Sequence, residues 1–127
     1  WDKLVEYEFD KNSLFINLGG GLVSDIGGYC ATNFKRGIDF INIPTTLLAM
    51  VDASIGGKLA VNYNNLKNQI GLFKNPIKVL INCCFLKTLS RQQVNSGYAE
   101  VIKHTLISNK DAWKNLKQND LNLFLRI

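Results

Sequence analysis

Histidine and methionine each occur once in the 127 residues, proline only twice and cysteine three times. A catalytic zinc needs three protein ligands, so a lone His104 predicts that this chain does not close such a site by itself. Two prolines exclude a polyproline linker or a collagen-like repeat. Cys83 and Cys84 are adjacent, Cys30 stands apart, and no CxxC spacing occurs, which excludes a disulfide framework and a zinc knuckle. Reduced thiols and a cytoplasmic location are expected. The longest apolar run, Leu47 to Val51, is far short of the ~18 residues that cross a bilayer, so no membrane partner is expected. The opening Trp1-Asp2-Lys3-Leu4-Val5-Glu6 lacks the basic and apolar regions of a secretory signal. It also lacks an initiator Met, and the chain is expected to be a piece of a longer protein. With 46% hydrophobic and 20% charged residues, it is expected to fold rather than remain disordered.

Charge is unevenly placed. The net charge is +5, and between Phe40 and Ala99 six cations (Lys58, Lys67, Lys74, Lys78, Lys87 and Arg91) face Asp52 alone. The rest of the chain balances. Nucleic-acid binders cluster their cations and interleave aromatics. These lysines are spaced singly, which favours a small anionic ligand and predicts no nucleic-acid partner.

Apolar spacing gives helix over residues 1–8 and a turn at Asp10 to Ser13. Leu14 to Leu18 reads as a strand buried on both faces, ended by Gly19-Gly20-Gly21. A helix is predicted from Ser24 to about Lys35, with Gly27 and Gly28 marking a close approach of backbone. A second strand covers Asp39 to Ile43, a short helix Leu47 to Ser54, a loop or small hairpin 58–76, and a third strand Ile77 to Ile81. From Arg91 the pattern is helical: Arg91 to Ser108, a turn at Asn109, then Ala112 to about Phe124. Strand–helix–strand order predicts an α/β fold with a parallel sheet. Residues 1–90 are expected to form part of that α/β domain, and 91–127 the start of an α-helical one.

Three segments carry potential chemistry. Gly19-Gly20-Gly21-Leu22-Val23-Ser24-Asp25, between a strand and a helix, lets backbone amides approach a phosphate. It narrowly misses the dinucleotide fingerprint because Ser24 stands at the third glycine position. Asp52-Ala53-Ser54-Ile55-Gly56-Gly57-Lys58 resembles a phosphate clamp, but Asp52 stands where a P-loop requires its first Gly and Leu59 where it requires Ser/Thr, which disfavours an NTPase. Lys67-Asn68-Gln69-Ile70-Gly71 adds another cation and an amide. The third segment is Glu100-Val101-Ile102-Lys103-His104. At 100° per residue, Val94, Tyr98, Val101 and Thr105 lie within about 40° on one helix face, and Glu100, Lys103 and His104 project together from another. A solvated face with an i,i+4 Glu–His contact accounts for that pattern equally well.

Taken in register, GGGLVSDIGGYCATNFKRG (19–37), IPTTLLAMVDASIGGKLAVN (43–62), KNQIGLF (67–73), FLKTLS (85–90) and SGYAEVIKH (96–104) resemble the 3-dehydroquinate synthase family of sugar-phosphate cyclases. The resemblance implies a Rossmann-like parallel sheet portion followed by the start of an α-helical domain. It implies conversion of 3-deoxy-D-arabino-heptulosonate 7-phosphate to 3-dehydroquinate plus phosphate, with NAD and a divalent metal, zinc or cobalt. By position, Gly20, Gly21, Leu22, Val23, Ser24 and Asp25 match the pyrophosphate loop. Thr45, Thr46, Lys58, Lys67, Phe85, Leu86, Lys87 and Thr88 match further NAD contacts. Asp52 matches a carboxylate near the nicotinamide, and Glu100 matches a metal ligand. Lys58, Asn68 and Lys103 match substrate contacts, and Arg36 an arginine that reaches the substrate phosphate across a homodimer. Leu59-Ala60, Thr105 and Ser90 depart from the family's usual Thr-Gly, Gly and Pro. The family's N-terminal segment and its C-terminal helices with two metal-binding histidines have no counterpart here, so the 127-residue chain is expected to be inactive alone. Another NAD- and metal-dependent sugar-phosphate cyclase, a glycerol-dehydrogenase-like oxidoreductase and a non-catalytic nucleotide-binding fragment remain alternatives.

Overall fold

The structure is a computed structural model and describes residues 1–108 and 110–118. In chain order it contains α1 (Asp2–Glu6), β1 (Leu14–Gly19), α2 (Gly21–Asn33), a 3-10 turn (Phe34–Arg36), β2 (Asp39–Pro44) and a π-helical turn (Ala49–Ala53). There follow β3 (Lys58–Tyr63), β4 (Leu66–Phe73), β5 (Lys78–Val79), a 3-10 segment (Cys83–Thr88), α3 (Arg91–Ser108) and α4 (Lys110–Gln118).

β1, β2 and β5 form a parallel sheet in that order, and β3 and β4 an antiparallel hairpin. Side chains alternate across a strand, so the register that sets Phe15 opposite Phe40 and Asn17 opposite Asn42 puts all four on one face. That face meets α2. Leu4, Ala31, Phe34, Ile38, Phe40 and Leu59 form the core, with Phe9, Phe15, Tyr29 and Leu72 packed against it. The adjacent glycines of α2 permit the contact. A Cβ on Gly28 would lie 2.5 Å from Leu59 Cδ2, and one on Gly27 would lie 1.7 Å from Asn17 Oδ1.

The elements depart from the sequence reading in several places. β1 is not buried on both faces: Leu14, Ile16 and Leu18 are 45%, 54% and 56% exposed. It is an edge strand paired only with β2. α2 begins at Gly21 rather than Ser24, because the Gly20 carbonyl already accepts the amides of Val23 and Ser24. It ends at Asn33 rather than Lys35, where Lys35, Arg36 and Gly37 all take positive φ and turn the chain into β2. The third strand is only Lys78–Val79, since Asn82 Oδ1 accepts the Cys84 amide and starts the 3-10 segment.

Residues 58–76 contain the hairpin. Asn64 and Asn65, both at positive φ, make the two-residue turn between the paired Tyr63 and Leu66. The Leu47 to Ser54 helix widens into the π turn. α3 spans Arg91 to Ser108 as its spacing predicts. Asn109 and the part of the second predicted helix beyond 118 lie outside the described residues.

Candidate active site

The glycine-rich turn comes first. Gly20 is the N-cap of α2 in extended backbone, and no side chain caps the helix there. The first amides of a helix have no partner within it and carry the positive end of the dipole. Packing keeps the turn open. A Cβ on Gly20 would meet Thr46 Cγ2 at 3.1 Å and one on Gly21 would meet Ala53 at 3.0 Å. The Thr45 amide donates to the Gly19 carbonyl at 2.9 Å, holding Thr45-Thr46 beside the turn. Such a cradle of backbone N–H groups, with no acidic residue in its first turn, fits a pyrophosphate.

Beside it lies a cleft of about 160 Å³ lined by Asp25, Asp52, Ala53, Ile55, Lys58, Ala60 and Asn68. Four residues singled out in the sequence, from three separate segments, thus meet around one space. Asp25 projects from α2, Asp52 from the π turn, and Lys58 and Asn68 from the two hairpin strands. Burial raises the Asp25 carboxyl above its ordinary value, because water is removed from its charged form.

Asp52 also faces a second group. Its carboxylate lies 3.7 Å from Lys103 Nζ and 3.6 Å from His104 Nε2, both on α3. Lys103 pairs with Glu100 one turn earlier, and His104 Nε2 is 4.0 Å from Glu100 Oε2. The Glu100 hydrogen bond, helped by Asp52, raises the Lys103 ammonium above its usual value. α3 reaches this position because Gly97 is buried against the backbone of Leu47 and Leu48; a Cβ there would lie 2.5 Å from the Leu48 nitrogen.

One ligand atom from each of Asp52, Glu100 and His104 falls within 4.8 Å of the others. His104 Nε2 is buried with no hydrogen-bond partner among the described residues. Two carboxylates and an imidazole suit a divalent metal. A single chain therefore brings three candidate ligand groups together. His104 joins Glu100 through the i,i+4 spacing of α3, whereas Asp52 joins them because the π turn packs onto α3, which no spacing in the sequence displays.

Other candidates lie elsewhere. Leu22 and Val23 turn exposed apolar side chains toward β1, lining a groove with Phe15, Ile16, Asn17, Leu18, Ile26 and Gly27. Ser24 is buried, its hydroxyl donating to the Gly20 carbonyl at 3.4 Å. Lys67 is exposed on β4. Phe85, Leu86, Lys87 and Thr88 sit in the 3-10 segment and line none of these clefts. Arg36 lies past the far end of α2, about 20 Å of helix from the glycine turn, and outside the cleft of its own chain.

A family model for the N-terminal part of 3-dehydroquinate synthase matches residues 1–96. The chain belongs to the 3-dehydroquinate synthase family. Within it, the 3-dehydroquinate synthase of Parabacteroides distasonis is 49% identical over 122 residues, which is 96% of this chain and 35% of that protein. The bifunctional 3-dehydroquinate synthase/phosphatase of Fusobacterium nucleatum is 45% identical over 121 residues, 95% of this chain and 18% of that protein. The chain spans about a third or less of these relatives' length. Among solved structures, the 2-epi-5-epi-valiolone synthase ValA of Streptomyces hygroscopicus, with NAD+ and Zn2+ bound, superposes with a TM-score of 0.91 at 30% identity. That match covers 98% of this chain and 35% of that one. A 2-deoxy-scyllo-inosose synthase complexed with carbaglucose-6-phosphate, NAD+ and Co2+ matches with a TM-score of 0.82 at 31% identity, over 87% of this chain and 30% of its own. The likeness establishes an α/β architecture shared across sugar-phosphate cyclases.

Proposed function

We propose that these residues belong to a 3-dehydroquinate synthase, a carbon–oxygen lyase that converts 3-deoxy-D-arabino-heptulosonate 7-phosphate to 3-dehydroquinate and phosphate. The observation that carries the proposal is the position of Asp52, which lines the Lys58–Asn68 cleft and faces the Glu100–Lys103–His104 cluster. Cofactor, substrate and metal functions meet at that carboxylate.

The chain's residues fit the groups the family requires. The Gly20-Gly21 amides and the N-terminus of α2 would hold the pyrophosphate of NAD. Glu100, with Asp52 and His104 within reach, would hold zinc or cobalt. When bound, the nicotinamide accepts and returns a hydride, and the metal polarises the substrate's carbinol oxygen. Lys58 and Asn68 supply a cation and an amide on one wall of the cleft, where they would orient a carboxylate- and phosphate-bearing sugar acid. The Lys103 ammonium, beside Glu100 and Asp52, would neutralise negative charge that develops on the substrate. Asp52, between the cleft and the cluster, is placed to hold or pass a proton at its carboxylate oxygens.

The resemblance further assigns Lys67 and the 85–88 segment to NAD, and residues 1–90 and 91–127 to cofactor and helical domains. Arg36, remote from its own cleft, is assigned to the substrate phosphate of a partner subunit in a homodimer. Relatives named 3-dehydroquinate synthase at 45–49% identity favour this reading over the other cyclases, which match at 30–31%. The test is phosphate release by a polypeptide of the relatives' length carrying these residues. Release from 3-deoxy-D-arabino-heptulosonate 7-phosphate, and not from glucose 6-phosphate or sedoheptulose 7-phosphate, supports the proposal. Turnover of either other sugar phosphate instead overturns it.

A further inference from the structure

Beneath the candidate site runs a buried line of polar side chains to which no catalytic role falls. Asn17 on β1 donates through Nδ2 to Asn42 Oδ1 on β2 at 2.9 Å. Asn42 in turn donates through Nδ2 to the Ser54 carbonyl at 3.2 Å. The Ser54 hydroxyl donates to the Ala49 carbonyl at 2.6 Å, the same oxygen that accepts the Ser54 amide at 3.1 Å. Asn17, Asn42 and Ser54 are 1%, 2% and 2% exposed.

Polar groups in a core are costly unless they are paired, and this set is not fully paired: Asn17 Oδ1 is buried without a partner among the described residues. Its amide even requires a glycine on the helix above, since a Cβ at Gly27 would lie 1.7 Å from that oxygen. An apolar pair of the same size would pack the two strands without these demands. What the amides add is a direction. They tie the centre of the sheet to the end of the π turn, and the Ser54 side chain closes that turn across its full width of five residues. π turns are rare and recur at functional sites. Asp52 lies inside this one. A turn relaxed to ordinary α-helical bonding would rotate Asp52 relative to the cleft and to α3.

We propose that Asn17, Asn42 and Ser54 are positioning residues that hold the π turn in its wide form and so aim the Asp52 carboxylate between Lys103 and His104. The catalytic part of this inference rests on the function proposed above; the geometric part does not. His104 is the only histidine, so its ring nitrogens give an unambiguous nuclear magnetic resonance signal from the whole chain.

The experiment compares Asn42→Leu and Ser54→Ala with Asp52→Asn, and with Ala31→Gly, a core change remote from the turn that lowers stability alone. Expected are His104 ring 15N shifts in Asn42→Leu and Ser54→Ala that move in the direction Asp52→Asn moves them, with Ala31→Gly unmoved. If Asn42→Leu does not fold, Ser54→Ala decides. A folded Ser54→Ala chain with His104 resonances unchanged overturns the inference. In an active polypeptide of the relatives' length, the same two variants are expected to lower kcat on the order of ten- to a hundredfold while KM for NAD stays within about twofold. Failure of the unmodified polypeptide to release phosphate would refute the proposed function and leave the His104 result to judge the positioning role.

Discussion

Gly97 separates two opposed expectations. In the interior of an exposed helix, glycine to alanine stabilises by roughly 1 kcal/mol, because the unfolded chain loses freedom and the helix gains a better former. Here the new methyl would stand 2.5 Å from the Leu48 nitrogen and 2.6 Å from Leu47 Cβ, where an ordinary contact is near 3.5 Å. Both opposing atoms belong to a chain segment that leads directly into the π turn and cannot step aside as a side-chain tip would. α3 must therefore back away by roughly 1 Å, which costs about 1–3 kcal/mol by overpacking and outweighs the helical gain. The same displacement lengthens the 3.7 Å and 3.6 Å approaches of Lys103 and His104 to Asp52. A misplacement of that size costs about a hundredfold in rate. Gly97→Ala is thus expected to lower the denaturation midpoint and to reduce kcat/KM for phosphate release about a hundredfold, with NAD affinity little changed. Urea unfolding followed by circular dichroism, with steady-state kinetics on a polypeptide of the relatives' length, provides the check. A variant that is more stable and retains activity within twofold would refute the packing argument.

Three further outcomes are expected. Asp25 has its pKa raised by burial, so its charged form destabilises the fold above the ordinary carboxyl value. Asp25→Asn should therefore raise the melting temperature at pH 7, with the gain shrinking as pH falls through the raised pKa toward 3.8 and absent below it; calorimetry across pH reads this, and a gain that persists below pH 3.8 would contradict it. Ile16→Lys on the uncovered face of β1 should increase the solubility of the 127-residue chain with less than about 1 kcal/mol lost in urea unfolding, since that side chain is 54% exposed and an uncharged edge invites association. Gly27→Ala should cost more than about 2 kcal/mol in the same assay, and Gly27→Ala combined with Asn17→Ala should recover part of that loss, because the clash is with the Asn17 amide.

What the sequence made legible follows from where the signal is local. The β1–glycine–α2 unit and α3 are continuous local patterns, although both ends of α2 were misread, and a strand order of β–α–β permits little besides a parallel sheet. The glycine pair in α2 announced a close approach without naming Asn17 or Leu59 as the neighbour. The exposed face of β1 was misjudged because a continuous apolar run states that a strand expects cover, not that the cover lies within these residues. The hairpin stayed ambiguous because Asn64-Asn65 is a weaker turn signal than Asn-Gly. At the site, single motifs placed Glu100 and Lys103 on their helix and Asp52 on a short helical turn, while Lys58 and Asn68 were read only as part of a loop or hairpin. The meeting of Asp52 with His104 depends on the π turn folding onto α3 through Gly97. No residue pattern within either segment encodes that contact.

The Asp52–Lys58–Asn68 cleft and the Glu100 cluster are expected to operate as one site on one substrate. The most direct measurement is phosphate release from 3-deoxy-D-arabino-heptulosonate 7-phosphate by a polypeptide of the relatives' length, unmodified and with Lys58→Ala or Glu100→Ala. The parent is expected to be active, with activity falling by at least about a hundredfold in each variant from loss of a charged group in the reacting centre. Full turnover in either variant would contradict that expectation.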